Sequence, residues 1–231
     1  MVNEQIRNSR VVRVLRPAEA PIARAILARA FDQEAAKLIM LPDERLRHTF
    51  LEWTVNARLF DAMRYGTVHG AQVDGELGAI ALWIPPGVPA LSLSGAVQAK
   101  VALLSKIASL ARAFPNIVRV LLSDLSGAIA LARERRPPVF NASRGMTWRL
   151  DLLGTLPEQR RKGLARMLLE KQLTRCDQDG AAVWLEATDP VNPPIYERFG
   201  FDTIAHIEGP TWLPGYWVMR REPEDHSSSV D

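Results

Sequence analysis

The spacing of apolar residues changes several times between strand-like and helix-like periods. Residues 11–15 are β-branched and apolar, which predicts a short strand. Apolar residues then recur at helical spacing over 20–31 and over 43–64, and each span predicts a helix. The apolar residues expected on these two helices are Ile22, Ile26, Leu27 and Ala30 in the first, and Leu46, Phe50, Trp53, Leu59 and Phe60 in the second.

The middle of the chain combines a hairpin with a long helical segment. Residues 67–72 and 77–84 flank Asp74-Gly75, a pair that favours a tight hairpin turn. Residues 97–114 and 117–133 have wide apolar stripes and predict two helices. These two helices form a predicted helical insertion over about 90–137.

The second half predicts a strand at 147–153, a helix at 163–178 that ends at Gly180, a strand at 182–187, a short helix at 194–199 and strands at 201–207 and 212–219. The buried face of the longer helix is predicted to consist of Ala165, Leu168, Leu169, Leu173 and Cys176. The elements predict a single α/β (α+β) domain over 1–221, with a mixed, largely antiparallel sheet flanked by helices. The polar segment 222–231 is expected to be a disordered tail.

Composition narrows the class of protein. A net charge of +3 over 231 residues argues against nucleic acid as a partner. The single cysteine, Cys176, excludes an intrachain disulfide and suits a reducing cytoplasm, and no apolar leader opens the chain. The uncharged run 77–99 is broken by prolines, so no membrane span is expected. The histidines are scattered without ligand spacing, so no metal site is expected either.

The segment 154–165 has the features of an anion-binding loop. It follows an apolar run, contains Arg160, Arg161 and Lys162, and places Gly163 directly before a helix. The first N–H groups of a helix have no partner inside it, and the helix dipole is positive there. A phosphate or pyrophosphate is therefore the expected ligand. The spacing is neither GxxxxGK[ST] nor GxGxxG.

Two segments together resemble a known family. Arg160-x-x-Gly163-x-Ala165 after a strand resembles the coenzyme A pyrophosphate loop of the GNAT superfamily of N-acetyltransferases. Residues 185–201 resemble that family's strand, asparagine loop and "YERxGF" helix end. The spacing from Glu186 to Asn192 is most similar to the puromycin N-acetyltransferase branch. The close resemblance covers about 147–220, and the first half resembles this branch in layout only.

The resemblance implies a fold in which the strands at 147–153 and 182–187 are parallel and splay apart, so that acetyl-coenzyme A enters between them. It assigns the pyrophosphate to the loop and the pantetheine arm to the strand end and to the asparagine loop. The implied coenzyme-binding residues are Leu153, Gly154, Thr155, Arg160, Arg161, Lys162, Gly163, Leu164, Ala165, Asn192 and Tyr196.

The resemblance also implies catalytic roles. Tyr196 matches the family tyrosine that protonates the departing sulfur, and Glu186 matches an acidic residue that serves as base in some members. Asp151, Glu52 or an ordered water chain are alternatives for the base. The branch often has a histidine before the tryptophan of the central strand, where this chain has Thr147, so the acceptor site is expected to differ.

These residues predict transfer of an acetyl group from acetyl-coenzyme A to the amine of a small molecule. A coenzyme A-binding sensor without turnover, or an acetyltransferase of a protein or an aminoacyl-tRNA, are the alternatives. The acceptor wall is expected to come from 31–60 and 206–216, where Trp53, Trp212 and Tyr216 could line a pocket or belong to the core. The acceptor, the acyl preference beyond acetyl and the choice between monomer and homodimer stay open.

Overall fold

A computed structural model describes residues 10–34, 38, 43–88, 146–208 and 215–224, without the side chains of Leu46 and Trp53. The predicted helical insertion at about 90–137 lies outside the described residues, as do Trp212 and most of the predicted tail. Within the described part no helix is long and apolar enough to cross a membrane.

The elements occur in the predicted order, with boundaries shifted by a few residues. The strands are β1 (Arg10–Val14), β2 (Thr67–Val73), β3 (Glu76–Ile84), β4 (Thr147–Thr155), β5 (Ala182–Ala187), β6 (Asp202–Ile207) and β7 (Tyr216–Arg221). The helices are α1 (Ala20–Phe31), α2 (Glu44–Tyr65), α3 (Leu164–Gln178) and the short α4 (Pro193–Glu197). Single 3-10 turns, Pro17–Glu19 and Pro157–Gln159, precede α1 and follow β4.

The seven strands found in the described residues form one sheet in the order β1-β2-β3-β4-β5-β7-β6. Among these strands only β4 and β5 pair in parallel, so the sheet is mixed and largely antiparallel, as predicted. The predicted hairpin turn is present between β2 and β3. Asp74 and Gly75 both adopt left-handed backbone angles there, with φ of 54° and 85°, which a two-residue turn of this kind requires.

Each face of the sheet has its own apolar core. Helix α3 covers one face, and its buried side chains pack against Trp83, Trp148 and Leu185. Helices α1 and α2 cover the other face and pack against Ile80, Leu82 and Ile84 of β3. Strand β3 therefore contributes alternate side chains to both cores, which explains its almost unbroken apolar sequence.

The helices turn somewhat different faces to the core than their patterns predicted. Ile22 of α1 is 54% exposed, whereas Ala23, Ile26, Leu27, Ala28 and Ala30 are buried, because small residues let α1 approach the sheet closely. In α2 the buried apolar residues are Leu51, Val55, Ala57, Leu59 and Ala62, and the larger Phe50 and Phe60 are only half-buried. In α3 the first buried residue is Leu164 rather than Ala165. Cys176 is buried as predicted, and burial raises the pKa of its thiol to about 11.

Candidate active site

Strands β4 and β5 separate partway along the sheet. Their parallel pairing runs from Thr147 opposite Ala182 to Leu150 opposite Leu185, and no pair follows. Both strands nevertheless continue, β4 along β3 as far as Thr155 and β5 along β7 as far as Ala187. We call the gap between these continuing ends the splay. The resemblance predicted an opening at this place.

A β-bulge marks the point where the splay begins. Leu152 pairs with Leu82 and Leu150 with Trp83, so Asp151 is an extra residue on β4. Its carboxylate, with a side chain only 4% exposed, accepts hydrogen bonds from Arg58 Nη1 of α2 at 2.9 Å and from Arg149 Nε at 3.1 Å. Asp151 was an alternative candidate for the catalytic base. Its two arginine partners give it a structural role at the bulge instead.

The backbone of the predicted phosphate loop presents unused donors. Arg161 and Gly163 have left-handed φ of 62° and 81°, whereas Lys162 between them does not, and such alternation turns successive N–H groups toward one point. The first helical bond of α3 runs from Met167 N–H to Gly163 O, at 3.1 Å. Among the described residues neither a capping side chain nor a carbonyl accepts the N–H groups of residues 164–166. An anion would satisfy these donors.

The cations of this loop have different surroundings. Arg160 donates from Nη2 to the carbonyl oxygen of Ala30 at 3.0 Å, so its side chain ties the loop to the end of α1. Lys162 Nζ donates to Gln159 at 2.9 Å, and Arg161 is exposed. Arg10, which sequence reasoning missed, places its Nη1 3.9 Å from the position a Cβ on Gly163 would take. The loop therefore has a cation from β1 beside it, brought there by the sheet.

Gly154 has a packing role at the end of β4. A Cβ at this position would lie 2.9 Å from both Ala30 Cβ and Leu27 Cδ2 of α1. Only glycine therefore lets α1 lie this close to the strand. The neighbouring predicted residues Leu153 and Thr155 are half-buried and paired with Ala81 and Ala79 of β3. Their backbone borders the splay, where the resemblance places the pantetheine arm.

Tyr196 lies on α4, close to the end of β5. Its ring contacts Phe201 edge-on, with centroids 5.9 Å apart. Burial, and to a lesser degree the negative charge of Glu34, raise the pKa of the Tyr196 phenol above its usual range. Thr188, the residue after β5, donates a short hydrogen bond from its hydroxyl to Glu34 Oε1. Sequence reasoning missed both Glu34 and Thr188, since 154 positions separate them.

In the asparagine loop, Asp189 and Asn192 have different hydrogen-bonding roles. Asp189 forms the turn, since its carboxylate accepts from Val191 N–H at 3.1 Å and its carbonyl from Asn192 N–H at 3.0 Å. The side-chain amide of Asn192 makes no hydrogen bond within the described part of the chain and does not cap α4. The side chain that forms this turn is therefore that of Asp189 and not that of Asn192.

Glu186 is exposed on β5. Val183, Leu185 and Ala187 point into the core under α3, so by strand alternation Glu186 faces the side of α1 and α2. The other alternative base, Glu52, is half-buried on α2. On the expected acceptor wall, Tyr216 is buried at the start of β7 and His206 stacks on Trp217. Over the described ranges no group of three or more His, Cys, Asp or Glu side chains could hold a metal ion.

Comparison with known sequences agrees with this geometry. Residues 149–204 match the family model described as "Acetyltransferase (GNAT) domain", a span that runs from β4 through the loop and α3 into β6. An uncharacterized N-acetyltransferase of Schizosaccharomyces pombe is 28% identical over 103 residues, which are 44% of this chain and 42% of that relative. The chain thus matches less than half the length of this curated relative.

Three solved structures share the fold. Histone acetyltransferase HPA2 and related acetyltransferase from Corynebacterium glutamicum has a TM-score of 0.62 at 18% identity, covering 95% of this chain and 99% of that one. Arylalkylamine N-acetyltransferase 2 from Aedes aegypti has a TM-score of 0.58 at 16% identity, covering 94% and 100%. Arabidopsis thaliana Naa50, solved with the bisubstrate analogue CoA-Ac-MVNAL, has 0.51 at 11% identity, covering 93% and 99%.

Proposed function

We propose that this chain, in which residues 149–204 form part of a GNAT acetyltransferase domain, transfers the acetyl group of acetyl-coenzyme A to a primary amine of a small molecule. The observation that supports this most is one juxtaposition. A loop with unused backbone donors and adjacent cations lies at one end of β4, and the same strand borders the splay. The other edge of the splay, β5, continues through the asparagine loop into α4, which carries Tyr196.

The loop fits a pyrophosphate in chemistry and in placement. The N–H groups of residues 164–166 supply donors at the positive end of the α3 dipole, and Arg161 and Arg10 supply charge. In this proposal the backbone of residues 153–155 and the amide of Asn192 hold the pantetheine arm. The arm would then direct the thioester into the splay, beside β4 and α4. The Naa50 structure shows that a protein of this fold accepts a coenzyme A conjugate.

Amide formation from a thioester and an amine needs a group that gives a proton to the departing sulfur and a group that takes a proton from the amine. A tyrosine hydroxyl is protonated at neutral pH, so Tyr196 has a proton to give when the carbon–sulfur bond breaks. Burial, which raises the pKa of this phenol, makes it a weaker acid than a solvated tyrosine. A carboxylate on the side of α1 and α2 would take the amine proton, and Glu186 is the candidate that the sequence offered. One of the β4 backbone N–H groups beyond Leu150 would polarise the thioester carbonyl.

The fold itself hosts both kinds of acceptor, an arylalkylamine in one neighbour and a peptide in another, by their names. We favour a small amine because carboxylates lie near the splay, Glu34 half-buried and Glu186 exposed, and because the net charge of the chain is only +3. A kinship with the puromycin N-acetyltransferase branch and a cytoplasmic location are further parts of this proposal.

The test combines binding with turnover. Calorimetry with coenzyme A and acetyl-coenzyme A should give binding, and thiol release from acetyl-coenzyme A should depend on an added primary amine. The amine panel would hold arylalkylamines, polyamines and short peptides, with the amide product identified by mass. Binding without turnover on any amine would favour the sensor, turnover on peptides alone would favour a protein acceptor, and no binding would refute the site.

A further inference from the structure

Glu34 and Thr188 bring two distant parts of the chain together at the end of β5. Glu34 follows α1 by three residues and Thr188 follows β5 directly. Both residues are half-buried, and the Thr188 hydroxyl donates to Glu34 Oε1 in a short hydrogen bond. Because β5 ends there, this bond lies at the open end of the splay.

The same carboxylate acts on Tyr196. The negative charge of Glu34 contributes to the raised pKa of the phenol, which requires the two groups to be near each other. Glu34 reaches the end of β5 from the side of α1, and Tyr196 lies on α4, eight residues beyond Thr188. One of these groups accepts protons and the other donates them, which is the pairing that amide formation from a thioester and an amine needs.

We propose that Glu34 is the residue that takes the proton from the acceptor amine, and that Thr188 holds its carboxylate in position at the open end of the splay. This inference rests on the proposed function and assigns the base of that same site. It replaces Glu186, which is exposed on β5, with a carboxylate that is partly buried and held by a hydrogen bond.

The amine nitrogen attacks the thioester carbonyl, a carbon–nitrogen bond forms and the nitrogen becomes positively charged. Glu34 takes one proton from this nitrogen. The carbon–sulfur bond then breaks, and Tyr196 gives its proton to the sulfur, so the products are the amide and the coenzyme A thiol. The neutral Glu34 and the tyrosinate finally restore their starting forms by passing one proton from the carboxyl to the phenolate, directly or through solvent.

The pair also couples the two proton transfers. While Glu34 is charged it makes the phenol a weaker acid. Once Glu34 has accepted the amine proton, that charge is gone and the pKa of Tyr196 falls by this smaller contribution, while burial, the larger cause of its raised value, remains. Tyr196 is therefore a stronger acid when the thiolate leaves than it is before Glu34 accepts the amine proton.

Glu34→Gln tests the proposal, because it removes the charge and keeps an oxygen that can accept from Thr188. With the amine identified by the panel, kcat should fall about 10²–10⁴-fold while the Kd of coenzyme A stays within about threefold. A second readout needs no turnover. With 3-fluorotyrosine at position 196, which titrates at lower pH than tyrosine, the phenol should ionise at lower pH in the Glu34→Gln protein than in its Glu34 counterpart.

Three further variants separate charge, position and packing. Glu197→Gln removes a charge next to Tyr196 in sequence from an exposed side chain and should leave kcat within about threefold of the parent protein. Thr188→Val removes the donor to Glu34 and should lower kcat by about tenfold or more, whereas Thr188→Ser keeps the hydroxyl and should restore most of it. Rescue by serine distinguishes a positioning hydroxyl from a packing role of the threonine.

Several results would overturn the assignment of Glu34. Turnover of Glu34→Gln within about threefold of an active parent protein would remove it as the base, and so would a larger loss in Glu186→Gln than in Glu34→Gln. An unchanged titration of the labelled phenol would remove the coupling. These outcomes leave the acetyltransferase function standing. A parent protein that acetylates no amine would instead defeat the proposed function and, with it, this inference.

Discussion

The two sides of the splay are built in different ways. The coenzyme side, from the end of β4 through the loop to α3, comes from one continuous segment at 153–165 and depends on backbone N–H groups and exposed cations. The acceptor side is assembled from residues far apart in sequence, among them Glu34, Asp151 and Tyr196. The Asp151 side chain is buried and Glu34 is half-buried. The first can be recognised locally, whereas the second exists only once the chain has folded.

The end of α1 connects the two sides. Its Ala30 carbonyl accepts from Arg160 of the loop, and Gly154 lets the helix lie against β4. Three residues beyond the helix, Glu34 binds Thr188 at the end of β5. A change that disturbs α1 should therefore affect both sides. A change that leaves α1 in place should affect coenzyme A binding alone if it lies in the loop, and turnover alone if it lies on the acceptor side.

The largest effect on turnover is expected on the acceptor side, from Tyr196→Phe. The change removes only the hydroxyl, so the ring should keep its edge-on contact with Phe201. Loss of one acid–base group typically costs about 10²–10⁴ in rate, and the loss should appear in kcat, since the proton moves only as the carbon–sulfur bond breaks. Steady-state kinetics with an amine that the panel shows to be acetylated measures kcat, and calorimetry of coenzyme A measures the affinity of the coenzyme side.

Tyr65→Phe is the matched control, because Tyr65 is exposed at the end of α2 and lies under Arg64 rather than in the splay. It should leave turnover and coenzyme A affinity unchanged. If Tyr196→Phe keeps kcat within about threefold of the parent protein, about 0.65 kcal/mol of barrier, Tyr196 is not the acid. If it weakens coenzyme A binding instead, the two sides are not separable at this residue.

The next effect concerns stability at the bulge where the splay begins. Asp151→Asn keeps the size of the side chain and removes the charge that balances Arg149 and Arg58. Breaking a buried ion pair on one side typically costs about 3–5 kcal/mol, and the lower end is expected here because Arg58 is 44% exposed. Urea unfolding should show a lower midpoint at an unchanged m-value.

Arg58→Ala provides the comparison for this prediction. It removes the exposed partner only, so its cost should be about 0.2–1 kcal/mol, as for a solvated ion pair. Equal unfolding midpoints for Asp151→Asn and Arg58→Ala would show that the carboxylate does not hold the bulge.

The features that the sequence predicts are those formed by residues close together in the chain, as on the coenzyme side of the splay. The elements, the hairpin turn at Asp74-Gly75 and the loop at 160–165 depend on neighbours in sequence. Their patterns predicted the class of sheet, and the family resemblance predicted the position of the splay. The contact between Arg58 and Asp151 spans 93 positions and has no local signature. Arg10 likewise comes beside Gly163 only through the sheet. The buried face of α1 was predicted from its large apolar residues, but small residues decide its packing, so that Ile22 is exposed and Ala23 is buried.

A third prediction concerns the sheet face under α3, which belongs to the coenzyme side. His69 of β2 is 4% exposed, and its Nδ1 has no hydrogen-bond partner among the described residues. Burial, with smaller effects from Lys171 and Arg175 of α3, lowers its pKa from 6.5 to about 4. Between these two pH values the unfolded chain binds more protons, so stability is retained above about pH 6.5 and falls as the pH falls toward 4, by about 3 kcal/mol in total.

The measurement is the free energy of unfolding as a function of pH, compared with His69→Leu. The variant cannot titrate at this position, so the part of the slope due to His69, at most about 1.4 kcal/mol per pH unit, should disappear. The absolute stability of the variant is irrelevant to this comparison. Equal slopes between pH 4 and 6.5 would mean that His69 protonates without cost in the folded protein.

The smallest effect is expected for binding at the loop. Arg161→Glu combined with Gly163→Val should weaken coenzyme A binding by at least about tenfold, about 1.4 kcal/mol. The glutamate repels phosphate, and valine does not readily adopt the left-handed φ of 81° that turns the N–H groups toward the ligand.

Charge alone should not produce this loss, and Arg24→Glu tests that. Arg24 is partly exposed on α1 and bonded to Asn56 of α2, so the same charge reversal there should leave coenzyme A affinity unchanged. Arg10→Ala should weaken binding by only about threefold, because it removes one solvated cation beside Gly163 and leaves the backbone donors in place. Calorimetry of coenzyme A with each folded variant measures all three. If the double variant binds as the parent protein does, the backbone of this loop is not the phosphate site. The local sequence would then have indicated a helix start and nothing more, and the contrast between a locally encoded side and an assembled side would no longer hold.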